Sequence, residues 1–383
     1  MQKPDSNPPS RPLPDPPSRP SRVGRSSSPA SSATGSASAA SLFPQDPRIA
    51  VVVNGNAKSV TQEVISTLDQ ILAGGDLFVS RNLEDAGHIA RTLISRGYGT
   101  VLTGGGDGTF TVMVSEVVRE GRKQNRPLPR FGLLKLGTGN ALAWVVGARD
   151  PQSGELAADI KRLTEDAGSR TMRLIEVEGF NAPFCGFGAD ADVLADYAKV
   201  KAALQKTPLK RVAPGLLSYG VAAVTRSIPS YFVKRMPHCR IVNTGGEAFR
   251  IGAKGALLGR PIARGAVIYE GPMRLCGLST IPYYGYGFRM FPFAEERPDR
   301  MHLRVTTMTP IEFLRHFTEM WRGEYDNPST LFDYLVESMS IELDPPTDFQ
   351  IGGDARGKRA KMEIVLSPTA IRLVDFYAPP SVT

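Results

Sequence analysis

The sequence predicts an α/β region with a parallel sheet, followed by a mainly antiparallel β-sandwich region. From residue 49 to residue 146, continuous apolar runs alternate with helical patterns, and glycine-rich segments follow two of the runs. Continuous apolar runs are typical of parallel strands that are buried on both faces. After Thr171, short runs separated by turn residues replace this rhythm, which favours antiparallel pairing.

The N-terminal segment is expected to be disordered. Eleven of the 31 prolines lie before residue 48, and the first 41 residues contain twelve serines. Such a composition cannot bury enough apolar surface to offset the entropy lost on ordering. We therefore expect a disordered tail over 1–45, an α/β domain over 46–170 and a mainly β domain over 171–383, whose extreme C-terminus can return to the first domain.

The elements of the first region follow in a regular order. Strands are predicted at Ile49–Val53, Leu77–Ser80, Thr100–Thr103 and Phe131–Leu136. Helices are predicted after a capping box at Ser59 and Gln62, from about Asp85 to Arg96, through Val112–Val118, and from Gly137 to Val146. Ligand sites in such sheets lie beyond the carboxyl ends of the strands, where both glycine segments fall.

The elements of the second region are shorter. Strands are predicted at Arg173–Val177, Arg240–Asn243, Lys254–Leu258, Arg264–Tyr269, Arg300–Thr306, Ser340–Leu343 and Glu363–Leu366, with one helix at Ile311–Met320. Alternating runs of this kind are typical of strands that bury one face. A β-sandwich is the expected arrangement.

Composition excludes several classes of protein. The three cysteines are scattered, so they form neither a metal motif nor a disulfide framework, which suits a reducing compartment. No window approaches 18 consecutive apolar residues, so a spanning helix is not expected. The net charge is +8, of which about +5 lies beyond Phe43. This density suits an anionic ligand or surface and does not indicate nucleic acid binding. We expect a cytoplasmic protein that is soluble, or bound to a surface without crossing it.

The segment Gly104-Gly105-Gly106-Asp107-Gly108-Thr109 carries the main functional signal. It joins a predicted strand to a predicted helix. Glycines allow the backbone to approach a ligand closely, and amides at the start of a helix bind anions. Asp107 places one carboxylate where phosphates would lie, suited to a magnesium ion or to accepting a proton. The alternative interpretation is a tight strand–helix turn, which the flanking elements make less probable than a phosphotransfer site.

A second segment, Gly137-Thr138-Gly139-Asn140, has the same context. Its backbone amides and the Thr138 hydroxyl suit a phosphate or ribose, and Asn140 suits either a helix cap or a nucleotide contact. Alone, this segment would usually be an ordinary turn. Two such segments on successive strands predict a joint nucleotide site.

Together, these motifs resemble the catalytic family of diacylglycerol kinases, which includes bacterial lipid kinases and the sphingosine and ceramide kinases. Asn54 and Ser80 match family positions that contact nucleotide, and Gly188-Ala-Asp190-Ala-Asp192 resembles a stretch in which aspartate meets the lipid head group. The resemblance spans about Arg48 to Tyr377. It implies an α/β domain resembling NAD kinases that binds ATP, a β-sandwich domain that binds lipid, and Mg²⁺ in the cleft. It also implies Asp107 as the base, or as a magnesium ligand through water.

The sequence departs from the family pattern at Gly352-Gly353-Asp354. The family has a Gln-x-Asp-Gly-Glu stretch here, so one carboxylate is missing and Asp354 is shorter than the usual glutamate. Either Asp107 suffices, or Asp354 substitutes, or the protein is weakly active. A hairpin turn without a catalytic role is equally compatible with the segment.

Two further segments concern the lipid. Asp190 and Asp192 suit contacts with a head group, although strand-end residues bonded to a turn are an equal alternative. The basic stretch Lys199–Arg211 suits an anionic bilayer or, more commonly, a solvated helix face.

The leading interpretation is a kinase that uses ATP and Mg²⁺ to phosphorylate a hydroxyl of diacylglycerol, a long-chain base or ceramide. An NAD kinase-like enzyme and a weakly active nucleotide-binding regulator are the alternatives. No nucleic acid partner is expected, and a homodimer is compatible with the sequence.

Overall fold

The computed structural model describes residues 48–57, 60–72, 76–137, 140–148, 168–189, 191 and 236–377. All of them belong to one compact unit, Leu42–Thr383. The expected tail and the basic stretch Lys199–Arg211 lie outside the described residues, as do four of the candidate site residues, Thr138, Gly139, Asp190 and Asp192.

The first region is an α/β layer with the predicted alternation. Its elements are β1 (Ile49–Asn54), α1 (Gln62–Leu72), β2 (Asp76–Ser80), α2 (Leu83–Arg96), β3 (Thr100–Gly105), α3 (Asp107–Gln124), β4 (Arg130–Lys135) and α4 (Ala141–Val146). The four strands are parallel and stand in the order β2-β1-β3-β4.

Apolar residues cover both faces of this sheet, which explains the continuous runs. In β1, Ala50 and Val52 belong to one buried cluster, while Val51 and Val53 belong to another on the opposite face. Successive side chains of a strand point to opposite faces, so a strand buried on both sides needs apolar residues throughout. The sequence signal for a parallel sheet therefore has a direct structural cause.

Helix α2 shows how local sequence fixes the element ends. Its N-cap residue Asn82 accepts a hydrogen bond from the Asp85 amide at 2.8 Å, and Gly97 ends it in the left-handed conformation at φ 70°. Both are established helix-end signals. The cap places the start at Leu83, two residues before the position expected from the sequence.

The second region consists mainly of antiparallel strands. They are β5 (Ser169–Val177), β6 (Phe180–Ala182), β7 (Phe184–Gly188), β8 (His238–Asn243), β9 (Ala248–Ile251), β10 (Leu257–Ile262), β11 (Val267–Pro272), β12 (Leu275–Ser279), β13 (Met301–Thr306), β14 (Leu331–Val336), β15 (Ser338–Ile351) and β16 (Asp354–Val374). Two short helices, α5 (Pro310–Arg315) and α6 (Phe317–Arg322), lie between β13 and β14.

Strand β15 connects two sets of strands that enclose a second core. Its first half pairs with β8, and its last residues pair with β7, which continues through β12, β13 and β14 to β9 and β10. A buried cluster that includes Ile241, Leu303 and Phe349 fills the space between these strands. The predicted fold class, a parallel α/β region joined to an antiparallel β region, is confirmed.

Strand β16 links the two regions. It forms a long hairpin with β15, and its C-terminal end runs parallel to β4, with Arg372 opposite Arg130. The turn of the hairpin, Gly352–Gly353, therefore has a fixed position relative to the parallel sheet, and this placement matters for the site below.

Three predictions for the second region were wrong. The strand expected at Lys254–Leu258 begins only at Leu257, after a 3₁₀ turn in which Lys254 has φ 57°. The helix expected at Ile311–Met320 is divided at His316 into α5 and α6. Strands β6, β7, β9, β12 and β14 lie where no strand was expected.

Strand β14 shows why one of them is difficult to predict. Asp333, in its centre, is buried and accepts hydrogen bonds from His302 at 2.9 Å and from Arg304 at 2.8 Å. These partners keep the pKa of Asp333 well below its usual range despite burial. A charged residue inside an apolar run looks like a loop signal unless its distant partners are known.

In the described residues, no helix is long and apolar enough to cross a bilayer.

Candidate nucleotide and phosphotransfer site

The two glycine segments meet at the carboxyl edge of the parallel sheet. A Cβ placed on Gly137 would lie 2.3 Å from the Cα of Gly106 and 2.5 Å from its amide nitrogen. Such distances are not possible for a real side chain, so glycine is required at position 137. The expected convergence of the two segments is present, and it leaves bare, partly buried backbone at their junction.

Helix α3 begins at this junction without a side-chain cap. Gly106 is its N-cap residue, and the first intrahelical bond runs from the Phe110 amide to the Gly106 carbonyl. The amides of the first turn have no acceptor inside a helix, and they carry the positive end of the helix dipole. The start of an 18-residue helix with a glycine cap is a suitable place for an anionic group.

Polar side chains from the neighbouring strands lie at the same edge. Asn54 ends β1 opposite Ser80 at the end of β2, and the Asn54 side-chain amide donates to the Thr109 hydroxyl at 3.1 Å. Gly104 and Gly105 end β3 between β1 and β4. The described nucleotide-binding candidates therefore share one edge, as parallel strands require.

Asp107 faces the second glycine segment instead of the solvent. Its two carboxylate oxygens accept hydrogen bonds from the Ala141 amide at 2.7 Å and the Leu142 amide at 3.2 Å. The side chain is buried, and burial raises the pKa of Asp107 to about 6; the two amides lower it, and the charge of Asp354 raises it. Asp107 thus caps α4 and fixes the two segments to each other.

Asn140 has a different role from the cap suggested by its position. It is the N-cap residue of α4 with φ 43°, but its side chain makes no capping bond. Instead, its amide nitrogen donates to the Gly137 carbonyl, within the turn. Of the two roles suggested for Asn140, the helix cap is absent because Asp107, 33 positions earlier, already accepts from the α4 amides, and the nucleotide contact stays a prediction.

Asp354 reaches the site from the hairpin of β15 and β16. Gly352 and Gly353 turn the chain with φ of 57° and 86°, conformations that favour glycine. A Cβ on Gly352 would lie 2.4 Å from the Thr111 hydroxyl of α3, and a Cβ on Gly108 would lie 2.6 Å from Asp354 Oδ2. The segment is a hairpin turn, and that turn places a carboxylate directly on the first turn of α3.

The turn is held by side chains that the sequence motifs only partly indicated. Buried Gln350 accepts a hydrogen bond from the Gly353 amide at 2.9 Å and donates to the Tyr284 hydroxyl at 3.1 Å. The Gly352 amide donates to the Phe184 carbonyl at 3.0 Å. The position of Asp354 is therefore defined by bonds on both sides of the turn.

Arg356 is a neighbour that sequence reasoning missed. Its guanidinium lies 4.0 Å from Asp354 Oδ2 and 4.3 Å from the centre of the Phe180 ring. Burial raises the pKa of Asp354, and the charge of Arg356 lowers it. The sequence could have indicated this neighbour, because Asp354 and Arg356 are two residues apart in a strand and such residues share a face.

Lys135 supplies a second positive charge near the site. It ends β4, and its ammonium group lies 5.6 Å from the centre of the Trp144 ring on α4. Trp144 thus holds a cation beside the segment that begins at Gly137.

Among the described residues, no cluster of three or more acidic, histidine or cysteine side chains forms a metal site. Asp107 and Asp354 are the carboxylates that fit a magnesium ion, with Asp354 the more accessible.

The fold and this edge define an α/β protein whose parallel sheet ends in a glycine-rich edge suited to an anionic ligand. Residues 48–176 match the family model described as the diacylglycerol kinase catalytic domain. The matched segment, 129 of the 383 residues, is similar to that kinase family.

Two solved structures support the fold. Two structures provisionally named as diacylglycerol kinases, both from Bacillus anthracis str. Sterne, share 15% sequence identity with this chain. Each alignment covers 88% of this chain and 99% of the solved chain, and the TM-scores are 0.58 and 0.55. An NAD kinase from Archaeoglobus fulgidus in complex with ATP aligns at 10% identity and a TM-score of 0.44, over 86% of this chain and 94% of that chain. A comparison with curated protein sequences gave no match.

Proposed function

We propose that this protein is a lipid kinase that uses ATP and Mg²⁺ and phosphorylates a hydroxyl of diacylglycerol, a long-chain base or ceramide. The observation that carries the proposal is the backbone contact between Gly106 and Gly137 beside two carboxylates, one from each region of the molecule. The match of residues 48–176 to the diacylglycerol kinase catalytic domain supports phosphoryl transfer.

The donor would be held by backbone at the junction of the two segments. The first-turn amides of α3 suit a phosphate group, with Thr109 and Asn54 on one side and Lys135 on the other. Ser80 lies at the end of the adjacent strand, where it suits a contact with the nucleoside part. Bound Mg²⁺ would offset the charge of the phosphates.

The two carboxylates would divide the remaining work. Asp354 is half exposed, so it can meet the acceptor hydroxyl and take its proton. Asp107 keeps the second segment in place through the α4 amides, and an ion bound through water is compatible with its remaining lone pairs. A positioned base typically contributes about 10²–10⁴-fold to the rate. Asp354 would thereby replace the family glutamate.

A membrane lipid as acceptor implies work at a bilayer surface, on the cytoplasmic side. Asp190 and Asp192 remain candidates for the head-group contact, although both lie outside the described residues. A homodimer is compatible with this arrangement. An NAD kinase-like activity and a nucleotide-binding regulator with little turnover are the competing functions, the second because the family aspartate is replaced by Gly352.

The test is a transfer assay with the full chain, labelled ATP and Mg²⁺, and separate acceptors in mixed micelles: diacylglycerol, sphingosine, ceramide and NAD. Label in one of the lipids supports the proposal and identifies the acceptor. Label in NAD alone contradicts it, and ATP binding without label in any acceptor favours the regulator.

A matched pair of variants ties the activity to the two segments. Gly137→Ala forces a side chain against the Gly106 backbone, whereas a Cβ on Gly87 of α2 would meet only the far ends of the Glu116 and Arg119 side chains, at 3.3 and 3.8 Å. We expect Gly137→Ala to lose about 10²-fold or more in turnover, as small misplacements near a reacting centre do. Gly87→Ala, which lies outside the two glycine segments, should stay within a few-fold of wild type. Equal activity in both variants would show that the contact is not part of the site.

A further inference from the structure

An exposed apolar stripe lies on the two helices between β13 and β14. It consists of Ile311, Leu314, Phe317 and Trp321, and we call it the α5–α6 stripe. Leu314 is 62% exposed and Ile311 55% exposed. A spacing of three residues within α5 places Ile311 and Leu314 on one side of that helix, and a spacing of four within α6 does the same for Phe317 and Trp321. Large apolar side chains grouped in this way mark an interaction surface.

The stripe is part of an ordered aromatic assembly. Phe317 contacts Phe313 and Trp321 with ring centres 5.7 and 5.4 Å apart, and Trp321 stacks on Phe288 at 5.5 Å. The opposite side of α5 is fixed to the protein through Glu312, whose carboxylate accepts bonds from Tyr325 and Thr330 at 2.8 and 2.7 Å. The apolar side therefore faces outward because the polar side is anchored.

Exposed basic side chains border the stripe. Arg315 and Arg322 follow Leu314 and Trp321 in the sequence, and the Arg289 amide donates to the Trp321 carbonyl at 3.0 Å. Within the described residues, none of these three arginines forms an ion pair. Two acidic residues also lie nearby. Glu319 pairs with His316 at 2.9 Å, whereas Glu324 is exposed and forms no ion pair among the described residues. Unpaired arginines beside apolar residues suit a surface that is both apolar and anionic.

One loop connects this stripe with the candidate site. Tyr284 binds Gln350, which holds the turn before Asp354, while Phe288 of the same loop stacks on Trp321. Between them, Gly287 packs against Trp144 of α4, with a Cβ position 3.3 Å from the indole ring. A chain of contacts thus links the α5–α6 stripe to Asp354, the carboxylate proposed to meet the acceptor.

We propose that the α5–α6 stripe docks the protein on an anionic lipid bilayer. Apolar side chains of an amphipathic helix insert at the level of the head groups, and tryptophan favours that interface. The proposal rests on the function proposed above, since a kinase with a membrane lipid as acceptor must reach the bilayer. It goes beyond that function by assigning the surface of contact.

The experiment compares variants of the full chain in sedimentation with vesicles of phosphatidylcholine, with and without phosphatidylglycerol. The test variant is Ile311→Gln/Leu314→Gln, and a charge variant is Arg315→Gln/Arg322→Gln. The matched control is Leu257→Gln, because Leu257 is 59% exposed on β10, far along the sheet from the site. Thermal unfolding of each variant verifies the fold. Transfer to a lipid acceptor in vesicles and to a short-chain, water-soluble acceptor is then measured for each.

We expect the stripe variant to lose about tenfold or more in vesicle partitioning, as the removal of two inserted aliphatic side chains implies. The charge variant should lose only the preference for phosphatidylglycerol, and the control should match wild type. Activity of the stripe variant should fall on vesicles and persist on the soluble acceptor.

The proposal is overturned if wild type does not bind vesicles, or if the stripe variant binds as well as the control. It is also overturned if the stripe substitutions convert a dimer into a monomer without affecting vesicle binding, which would make the stripe an interface between copies. Vesicle binding through the stripe with no transfer to any lipid supports the docking surface and contradicts the kinase function.

Discussion

Asp107 and Asp354 come from different regions and reach the same site in different states. Asp107 starts a helix after a parallel strand, and its buried carboxylate is bonded to two amides of α4. Asp354 starts an antiparallel strand after a two-glycine turn, and its side chain is 55% exposed. Both residues are aspartates, but their burial and partners differ. Asp107 holds the site together, whereas Asp354 is accessible to a reactant.

The contrast also shows how the family pattern is altered in this chain. Gly352 replaces a carboxylate, yet the shorter Asp354 stands on the first turn of α3 because Gly108 leaves room for it. The resulting pair is coupled, since the charge of Asp354 raises the pKa of Asp107. Substitutions at the two positions should therefore have different consequences. One substitution at each position, and a third at Arg356 beside Asp354, test the comparison.

The largest effect is expected for Asp354→Asn. If Asp354 takes the proton from the acceptor, turnover should fall by about 10²–10⁴-fold, the usual contribution of a positioned base. The free energy of unfolding should change by less than about 0.5 kcal/mol, since the side chain is half exposed. Steady-state turnover and urea unfolding measure the two quantities. Retained turnover would make the Gly352–Asp354 turn purely structural.

The next effect concerns the stability contributed by Asp107. Its pKa is about 6 in the folded state against 3.8 for the free side chain, because burial disfavours the charge. The protonated carboxyl group of Asp107 therefore contributes to the free energy of unfolding. This contribution is present below pH 3.8 and is lost as the pH rises through 6, and it amounts to about 3 kcal/mol. Relative to Asp107→Asn, wild type should therefore lose stability between about pH 4 and pH 7, as followed by urea unfolding.

Asp354→Asn is the control for that experiment. It keeps Asp107 and should keep most of the pH dependence, slightly reduced because one neighbouring charge is removed. A stability difference between wild type and Asp107→Asn that stays constant over the same pH range would contradict the buried, ionising state of Asp107. Loss of turnover in Asp107→Asn alone would not identify a base, because the substitution also replaces an acceptor of the α4 amides.

Much of the parallel region was predictable because its signals are local. Each strand of β1 to β4 is a short apolar run, and the helices between them have recognisable ends. The meeting of Gly106 and Gly137 was also predictable, since the carboxyl ends of neighbouring parallel strands share one edge. The partner of Asp107 was not predicted, because the sequence does not show which way a carboxylate at a helix start will turn.

The antiparallel region was harder to predict because its signals are distant. Strand β7 has the sequence Phe-Cys-Gly-Phe-Gly and is buried throughout, so it lacks alternation and contains residues common in turns. Strands β15 and β16 were recognised only as short pieces of 14- and 21-residue strands. The contact between Asp354 and Gly108 depends on this long hairpin, so no local pattern reveals it.

The smallest effect is expected for Arg356→Gln, which alters the surroundings of Asp354 without removing the carboxylate. The charge of Arg356, 4.0 Å away, opposes the rise in the pKa of Asp354 caused by burial, so its loss should raise that pKa further. If activity requires ionised Asp354, the acidic limb of kcat/KM should move to higher pH, with a loss of a few-fold on that limb and little change well above it. Arg356→Lys keeps the charge and should keep the profile, although it gives up the contact of the guanidinium with the Phe180 ring. An identical profile in Arg356→Gln would mean that the arginine acts on the packing of β16 and not on the titration of Asp354.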